Sequence, residues 1–228
     1  MLVVLDVDGT LVDSQNLIVD AQREAFVTCG LPAPTRERSL SIVGLSLAEA
    51  FTALVGPDGP VEALAEAYRQ AFGRLRADPA HAEPLFPGAA ETVARLAARP
   101  DIVLGIATGK SRRGVAHILE RHGWRDVFAT IQTADDAPSK PDPGMLLRAM
   151  AETGVAPAAT VMVGDTSFDM GMARAAGVRT IGVSWGYHPV PALREAGAAT
   201  IIDRFSELEP ALDAPALART SRLPAAVG

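Results

Sequence analysis

Two aspartates, Asp6 and Asp8, stand directly after a short apolar run and just ahead of a glycine, in Asp6-Val7-Asp8-Gly9-Thr10. Strand residues two apart point to the same side, although a turn at Gly9 can rotate Asp8 away. Carboxylates this close repel, so they require a cation or a shared proton. An oxygen-rich site for a hard cation suits Mg2+, and Gly9 lets backbone approach an anion closely. Three further polar clusters follow along the chain. Thr108-Gly109-Lys110 offers a hydroxyl and a glycine amide to a phosphate oxygen, unless Thr108 merely caps a helix. Lys140, in Ser139-Lys140-Pro141-Asp142-Pro143, is one of only two lysines, the other being Lys110. Prolines pin the backbone around Lys140, and an ammonium fixed in this way can pair with a carboxylate and a phosphate together. Asp165 and Asp169, in Gly164-Asp165-Thr166-Ser167-Phe168-Asp169, are four apart and share a face if a helix begins there. Asp169 also fits as a helix-start acid favoured by the dipole.

Strands must place these groups. Val3-Val4-Leu5 shows no polar alternation and reads as a strand buried on both faces, as in a parallel sheet. Similar runs recur at Ile102–Ile106, Thr160–Val163 and Thr180–Val183, with shorter candidates at Phe128–Gln132 and Thr200–Ile202. Helical patterns lie between them. One starts near Ser111 and stops before Gly123, one runs from Pro143 to Gly154, and one spans Ser167 to Ala176. This alternation predicts an α/β fold with a doubly wound, Rossmann-like parallel sheet. Ligands of such sheets sit at the carboxyl ends of the strands, where all four polar clusters fall.

From about Gln15 to Glu83 the alternation stops, and the periodicity is helical throughout. Val19, Ala25, Phe26 and Cys29 can share one face. Ser46-Leu47-Ala48-Glu49 has the form of a capping box opening a helix that carries Phe51 and Leu54. Leu64, Ala67, Tyr68, Ala71 and Leu75 are expected inward on a third helix. The expected organisation is an α/β core of residues 1–14 and 84–228 with a helical domain, 15–83, inserted after the first strand. The Ala/Pro-rich tail after Ala214 is expected to be partly disordered.

The chain has 228 residues, 48% of them hydrophobic, enough for a full core. Its formal net charge of -6 repels nucleic acid and anionic membrane, so neither is an expected partner. A single cysteine, Cys29, excludes an internal disulfide or a cysteine-rich metal site. No apolar run reaches the length of a membrane span. The N-terminus lacks the basic region of a signal peptide, so a cytoplasmic location is expected. His81, His117, His122 and His188 show no metal-ligand spacing and read as non-catalytic.

In this order and at these spacings, the four clusters resemble the motifs of the haloacid dehalogenase superfamily. Asp6 to Ser14 looks like the first motif, and Thr108, Lys140 and Gly164-Asp165 with Asp169 look like the second, third and fourth. The helical insert resembles the family's mobile cap. Pro87-Gly88 and Trp185-Gly186-Tyr187 resemble the phosphoglycolate-phosphatase-like subgroup. The resemblance implies roles for the matching residues. Asp6 would be nucleophile and metal ligand. Asp8 would be general acid and base, with its backbone carbonyl on Mg2+. Thr108 and Gly109 would hold the phosphate, and Lys140 would offset charge on Asp6 and the phosphoryl group. Asp165 would bind the metal, and Asp169 would bind it through water or orient Lys140. An Asp at position 8 argues for phosphate rather than haloacid chemistry. An insert without lysine argues against the Schiff-base chemistry of the phosphonate-cleaving relatives.

The implied activity is Mg2+-dependent hydrolysis of a small phosphorylated metabolite through an aspartyl phosphate on Asp6. A cap admits only small substrates, and its specificity contacts are expected at Ser41–Ser46, especially Gly44 and Ser46. Arg23, Arg36 and Arg38 are candidate anion contacts. A sugar phosphomutase or a pyrophosphatase could use the same site. A regulatory or binding protein could keep the fold without catalysis. A monomer is the default expectation, with a dimer left open.

Overall fold

A computed structural model of the chain describes residues 1–214; the Ala/Pro-rich tail lies outside the described residues. In chain order the elements are β1 (Leu2–Leu5), α1 (Gln15–Thr28), α2 (Arg36–Leu40), α3 (Leu47–Val55), α4 (Val61–Leu75) and α5 (Ala89–Ala97). There follow β2 (Val103–Ala107), α6 (Arg112–Arg121), β3 (Thr130–Gln132), α7 (Gly144–Thr153), β4 (Thr160–Gly164) and α8 (Ser167–Ala175). The described chain closes with β5 (Arg179–Val183), α9 (Val190–Ala196), β6 (Thr200–Ile202) and α10 (Leu208–Asp213).

All six strands are parallel, in the order β3-β2-β1-β4-β5-β6. The order reverses between β1 and β4, which makes that junction the switch point of a doubly wound sheet. Successive strand residues point to opposite faces, and two hydrophobic cores result. Val3, Leu5, Ile106 and Val163 meet α5, α6 and α10 on one side, through Val93, Ile118 and Leu208. Leu2, Val4 and Met162 meet α7 and α8 on the other, through Met145 and Met172. The unbroken apolar runs of β1 and β4 are the signature of strands covered on both faces. Sequence boundaries shift by a residue or two: Ile102 precedes β2, and Phe128 lies outside β3.

Helices α1 to α4 lie between β1 and β2 and pack on one another, α1 on α4 and α3 on α4. They enclose a separate cluster of Phe26, Phe51, Leu64 and Ala65. Burying a phenylalanine or leucine side chain of this cluster contributes roughly 1.5–3 kcal/mol. Val19, Cys29, Ala67, Tyr68 and Leu75, expected inside, are only half-buried. Cys29 is the C-cap of α1 and packs, half-buried, against this cluster. The two chain crossings to the helices run side by side. Asp13 N donates to Pro84 O at 2.8 Å, Phe86 N donates to Leu11 O at 3.0 Å, and Val12 bridges Leu85 in antiparallel sense.

One capping expectation is half met. Ser46 Oγ accepts from Glu49 N at 3.4 Å, but the amide of Ser46 donates to Ser139 Oγ at 2.8 Å instead of to Glu49. A tertiary contact has taken the donor that the local motif would have used. The complete capping box is on α8, where Thr166 and Asp169 exchange hydrogen bonds.

Candidate active site

Asp6 follows β1 immediately, and its amide donates to Val163 O of β4 at 3.0 Å, which fixes it at the switch point. The side chain is 1% exposed, yet neither carboxylate oxygen has a hydrogen-bond partner among the described residues. Lys140 Nζ sits 3.0 Å from Asp6 Oδ1, an ion-pair distance without hydrogen-bond direction, and donates to Asp169 Oδ1 at 2.6 Å. Carboxylate oxygens of Asp6, Asp165 and Asp169 lie within 4.8 Å of one another. Burial pushes the Asp6 carboxyl up to about 7, with Lys140 opposing the rise and Asp169 adding to it. Asp165 is raised as well, by burial first and then by the charges of Asp6 and Asp169. Burial works against the Lys140 ammonium, but Asp169 and Asp6 outweigh it and hold its pKa above the ordinary value. Three buried carboxylates facing one ammonium leave an excess of negative charge, and buried charge without compensation is costly. The hard oxygen donors and the bare oxygens of Asp6 therefore fit a divalent cation such as Mg2+.

Neighbouring residues fix the aim of each carboxylate. Asp165 Oδ1 accepts from Thr10 Oγ1 at 2.9 Å, and Oδ2 accepts from Tyr187 N at 2.9 Å. Gly9 has φ +85°, and a Cβ there would collide with the Asp165 carboxylate, so the turn after β1 needs glycine to make room. Asp169 Oδ2 accepts from Thr166 N at 3.0 Å and Thr166 Oγ1 at 2.7 Å. With Oδ1 on Lys140, both of its oxygens are engaged, and the helix-start and cluster readings of Asp169 hold together. Asp8 is turned away from the trio. Its Oδ1 accepts from Ser14 Oγ at 2.6 Å and Lys110 Nζ at 2.8 Å.

Thr108 follows β2, is 1% exposed, and accepts from Lys110 N at 3.2 Å through Oγ1. That leaves its hydroxyl proton uncommitted among the described residues. A cleft of about 450 Å³ opens above these side chains, bounded by Asp6, Asp8, Thr108 and Gly109 on the sheet side. Gly44 and Ser46 line the opposite wall. The two loops touch closely: a Cβ on Gly109 would lie 2.5 Å from Gly44 O and 2.6 Å from Leu45 O.

Other expectations place differently. Arg23 pairs with Asp20 at 2.8 Å, Arg36 donates to Gln15 and Asn16, and Arg38 donates to Ala53 O. All three are exposed and none lines the cleft, because they lie on outer helix faces. His188 accepts from Ser167 N at 3.1 Å and His81 meets Asp20 at 3.0 Å. Sequence reasoning passed over a cluster behind Asp8. Lys110 Nζ also reaches Glu83 Oε1 at 3.1 Å, and Glu83 Oε2 accepts from Arg76 Nε at 2.9 Å. The one available signal was the scarcity of lysine.

A switch-point cluster of three carboxylates and one ammonium, with a hydroxyl beside it, defines a doubly wound α/β enzyme built around anion and cation together. The family model described as haloacid dehalogenase-like hydrolase matches residues 3–183, and the chain belongs to that family. It is 37% identical over 211 residues to the probable phosphatase IndB of Dickeya dadantii, covering 91% of each chain. It is 32% identical over 217 residues to a phosphoglycolate phosphatase of Agrobacterium fabrum, covering 92% of this chain and 91% of that one. A hydrolase from Pseudomonas syringae superposes with a TM-score of 0.82 at 28% identity, covering 92% of this chain and 97% of that one. The chain is thus a phosphatase in this family, of the phosphoglycolate-phosphatase-like kind. No described helix is long and apolar enough to cross a membrane.

Proposed function

We propose that the protein hydrolyses a small phosphate monoester in the presence of Mg2+, through a phosphoenzyme on Asp6. The observation that supports this most is the state of Asp6: buried, free of hydrogen bonds on both oxygens, and 3.0 Å from the Lys140 ammonium. Asp6, Asp165 and the backbone carbonyl of Asp8 would hold Mg2+, which would offset the charge of the phosphoryl group and the attacking carboxylate. Asp169 has spent both oxygens on Lys140 and Thr166, so its part is to orient Lys140.

An Asp6 oxygen attacks phosphorus while the bond from phosphorus to the ester oxygen breaks. Asp8 gives its proton to the departing alkoxide, which leaves as an alcohol. Water then attacks the acyl phosphate; Asp8 takes a proton from it, and the Asp6 carboxylate and inorganic phosphate are released. Lys140 stabilises the charge gathering on the phosphoryl oxygens, and Thr108 donates its free hydroxyl proton to one of them. Helices α1 to α4 act as the cap that keeps bulk water out, with Gly44 and Ser46 on its substrate-facing loop.

The test is phosphate release from a panel of esters in Mg2+, with pyrophosphate and a bisphosphate activator as added arms. Asp6→Asn should abolish turnover in a folded protein, and Lys140→Ala should cost orders of magnitude in rate. Appreciable turnover by Asp6→Asn rejects the nucleophile. Isomerised sugar phosphate without free phosphate would make the protein a mutase.

A further inference from the structure

Asp8 is held by one oxygen. Its Oδ1 accepts from Ser14 Oγ at 2.6 Å and from Lys110 Nζ at 2.8 Å, while Oδ2 accepts from no described residue. Asp8 lines the cleft with Asp6 and Thr108, so Oδ2 is the oxygen left for an ester bound there. The two anchoring contacts have a fixed direction. An ammonium has no lone pair, so Lys110 can only donate. Ser14 Oγ spends its single proton on Asp8 and can only accept from Tyr187 Oη, 3.3 Å away. A carboxyl proton on Oδ1 would meet the protons of the Lys110 ammonium. A proton on Asp8 therefore sits on Oδ2.

Lys110 is itself fixed at several points. Its Nζ also donates to Glu83 Oε1 at 3.1 Å, and Glu83 Oε2 accepts from Arg76 Nε at 2.9 Å. The ammonium lies 5.1 Å from the centre of the Phe72 ring. The stem of Lys110 runs across the first turn of α6 at Gly114, where a Cβ would lie 2.8 Å from Lys110 Cγ and 3.1 Å from Cε. Glycine at this position makes room for the lysine. The Lys110 side chain is 7% exposed and that of Glu83 3%, so salt and water screen the pair little.

From these observations we infer that Lys110 is a positioning residue for Asp8: with Ser14 it holds Oδ1 as an acceptor and leaves Oδ2 to carry the proton that passes to the leaving group. The inference rests on the phosphatase reading and adds to it the atom that acts and the side chain that aims it. As the bond from phosphorus to the ester oxygen breaks, the proton moves from Oδ2 to that oxygen and the alcohol departs. Asp8 becomes a carboxylate. Its Oδ1 keeps both donors, and the Lys110 ammonium offsets the charge that has formed. Glu83 acts through Lys110 by holding the ammonium in place.

The test is how kcat/KM, measured with Mg2+, depends on the leaving group. 4-Nitrophenyl, phenyl and benzyl phosphates are close in size, and their leaving groups need a proton increasingly in that order. General acid catalysis is worth roughly 10²–10⁴-fold, so Lys110→Met should lower kcat/KM by about tenfold or more for benzyl phosphate and by less than about threefold for 4-nitrophenyl phosphate. Asp8→Asn should show the same gradient more steeply. Gly114→Ala keeps every charge and favours the helix, yet forces the Lys110 stem aside. It should tilt the series in the same direction, and it carries the test if Lys110→Met fails to fold. A flat response in the folded variants, whether an equal loss for all three esters or none, overturns the inference and leaves Lys110 as a structural partner of Glu83. If Asp8→Asn itself shows no gradient, Asp8 is not the acid, and the inference falls with that assignment while phosphate release stands. Failure of the wild type to release phosphate from any ester rejects the phosphatase reading instead.

Discussion

Asp6 keeps its position at a cost that can be measured without any substrate. Its pKa is raised to about 7 in the fold, against an ordinary aspartate near 4. Between those values the folded protein holds a proton that the unfolded chain has lost, so this contribution to stability is present at low pH and disappears as pH rises from about 4 to about 7. His122 and His188 are held below their ordinary range by burial and act in the opposite sense, gaining stability as pH rises toward about 6.5. Asp6→Asn isolates the first effect. In chelator, the variant's Tm should rise relative to wild type between pH 5 and pH 7.5, by about 2–4 °C for each kcal/mol released. Added Mg2+ should stabilise the wild type more at pH 7.5 than at pH 5. A variant whose Tm tracks the wild type across that interval, with no response to Mg2+, would show that Asp6 is not the strained carboxylate described here.

At the level of elements, the active site depends on two loops from different parts of the chain lying in contact. Gly109, after β2, faces the carbonyls of Gly44 and Leu45 with no space for a methyl group, and Ser46 N is tied to Ser139 Oγ beside Lys140. Neither carbonyl can yield without moving the loop between α2 and α3. Gly109→Ala should therefore push that loop off the sheet while leaving both hydrophobic cores untouched. A displacement of about 1 Å at a positioning contact can cost up to about 100-fold in rate. The expected result is a fall of about tenfold or more in kcat/KM with a Tm within about 3 °C of wild type, the shift produced by roughly 1 kcal/mol. Wild-type kinetics in this variant would mean that the loops separate freely during turnover.

For the whole molecule, the exposed apolar side chains bear on oligomeric state. Val27 on α1 and Leu147 on α7 are the only large hydrophobic side chains that stand well exposed among the described residues, at 67% and 50%. They lie on separate parts of the fold, a helix of the insert and a helix of the sheet core, so the two together do not make one large apolar patch of the kind that marks an obligate interface. Sedimentation equilibrium should give a monomer at micromolar concentration. A stable dimer would place an interface on polar surface and require another account of its stability.

The order of strands and helices, the position of the helical insert and the four polar clusters were legible because each is written locally. Unbroken apolar runs mark strands covered on both faces, glycine and proline mark helix ends, and aspartates fall where the strands stop. Asp6, Thr108, Lys140, Asp165 and Asp169 stood out as candidates by residue type and place, with Thr108 and Asp169 equally readable as helix caps until the resemblance gave them roles. The partners of those groups were not legible. Lys110 meets Asp8 across 102 positions of sequence, Tyr187 reaches Asp165 across 22, and Ser139 takes the amide of Ser46 across 93. Each pairing is made only when the sheet brings distant loops to one edge, and there it competes with the local motif, as at the half-formed box of Ser46. Electrostatics follow the same division. The sequence determined which residues carry charge, while burial at the switch point decided that Asp6 would lie bare beside an ammonium, and the meeting of distant loops decided that Lys110 would pair with Asp8 and Glu83 and Arg76 with Glu83. Desolvation and ion pairing depend on what surrounds a group in space, and neighbours along the chain do not specify that.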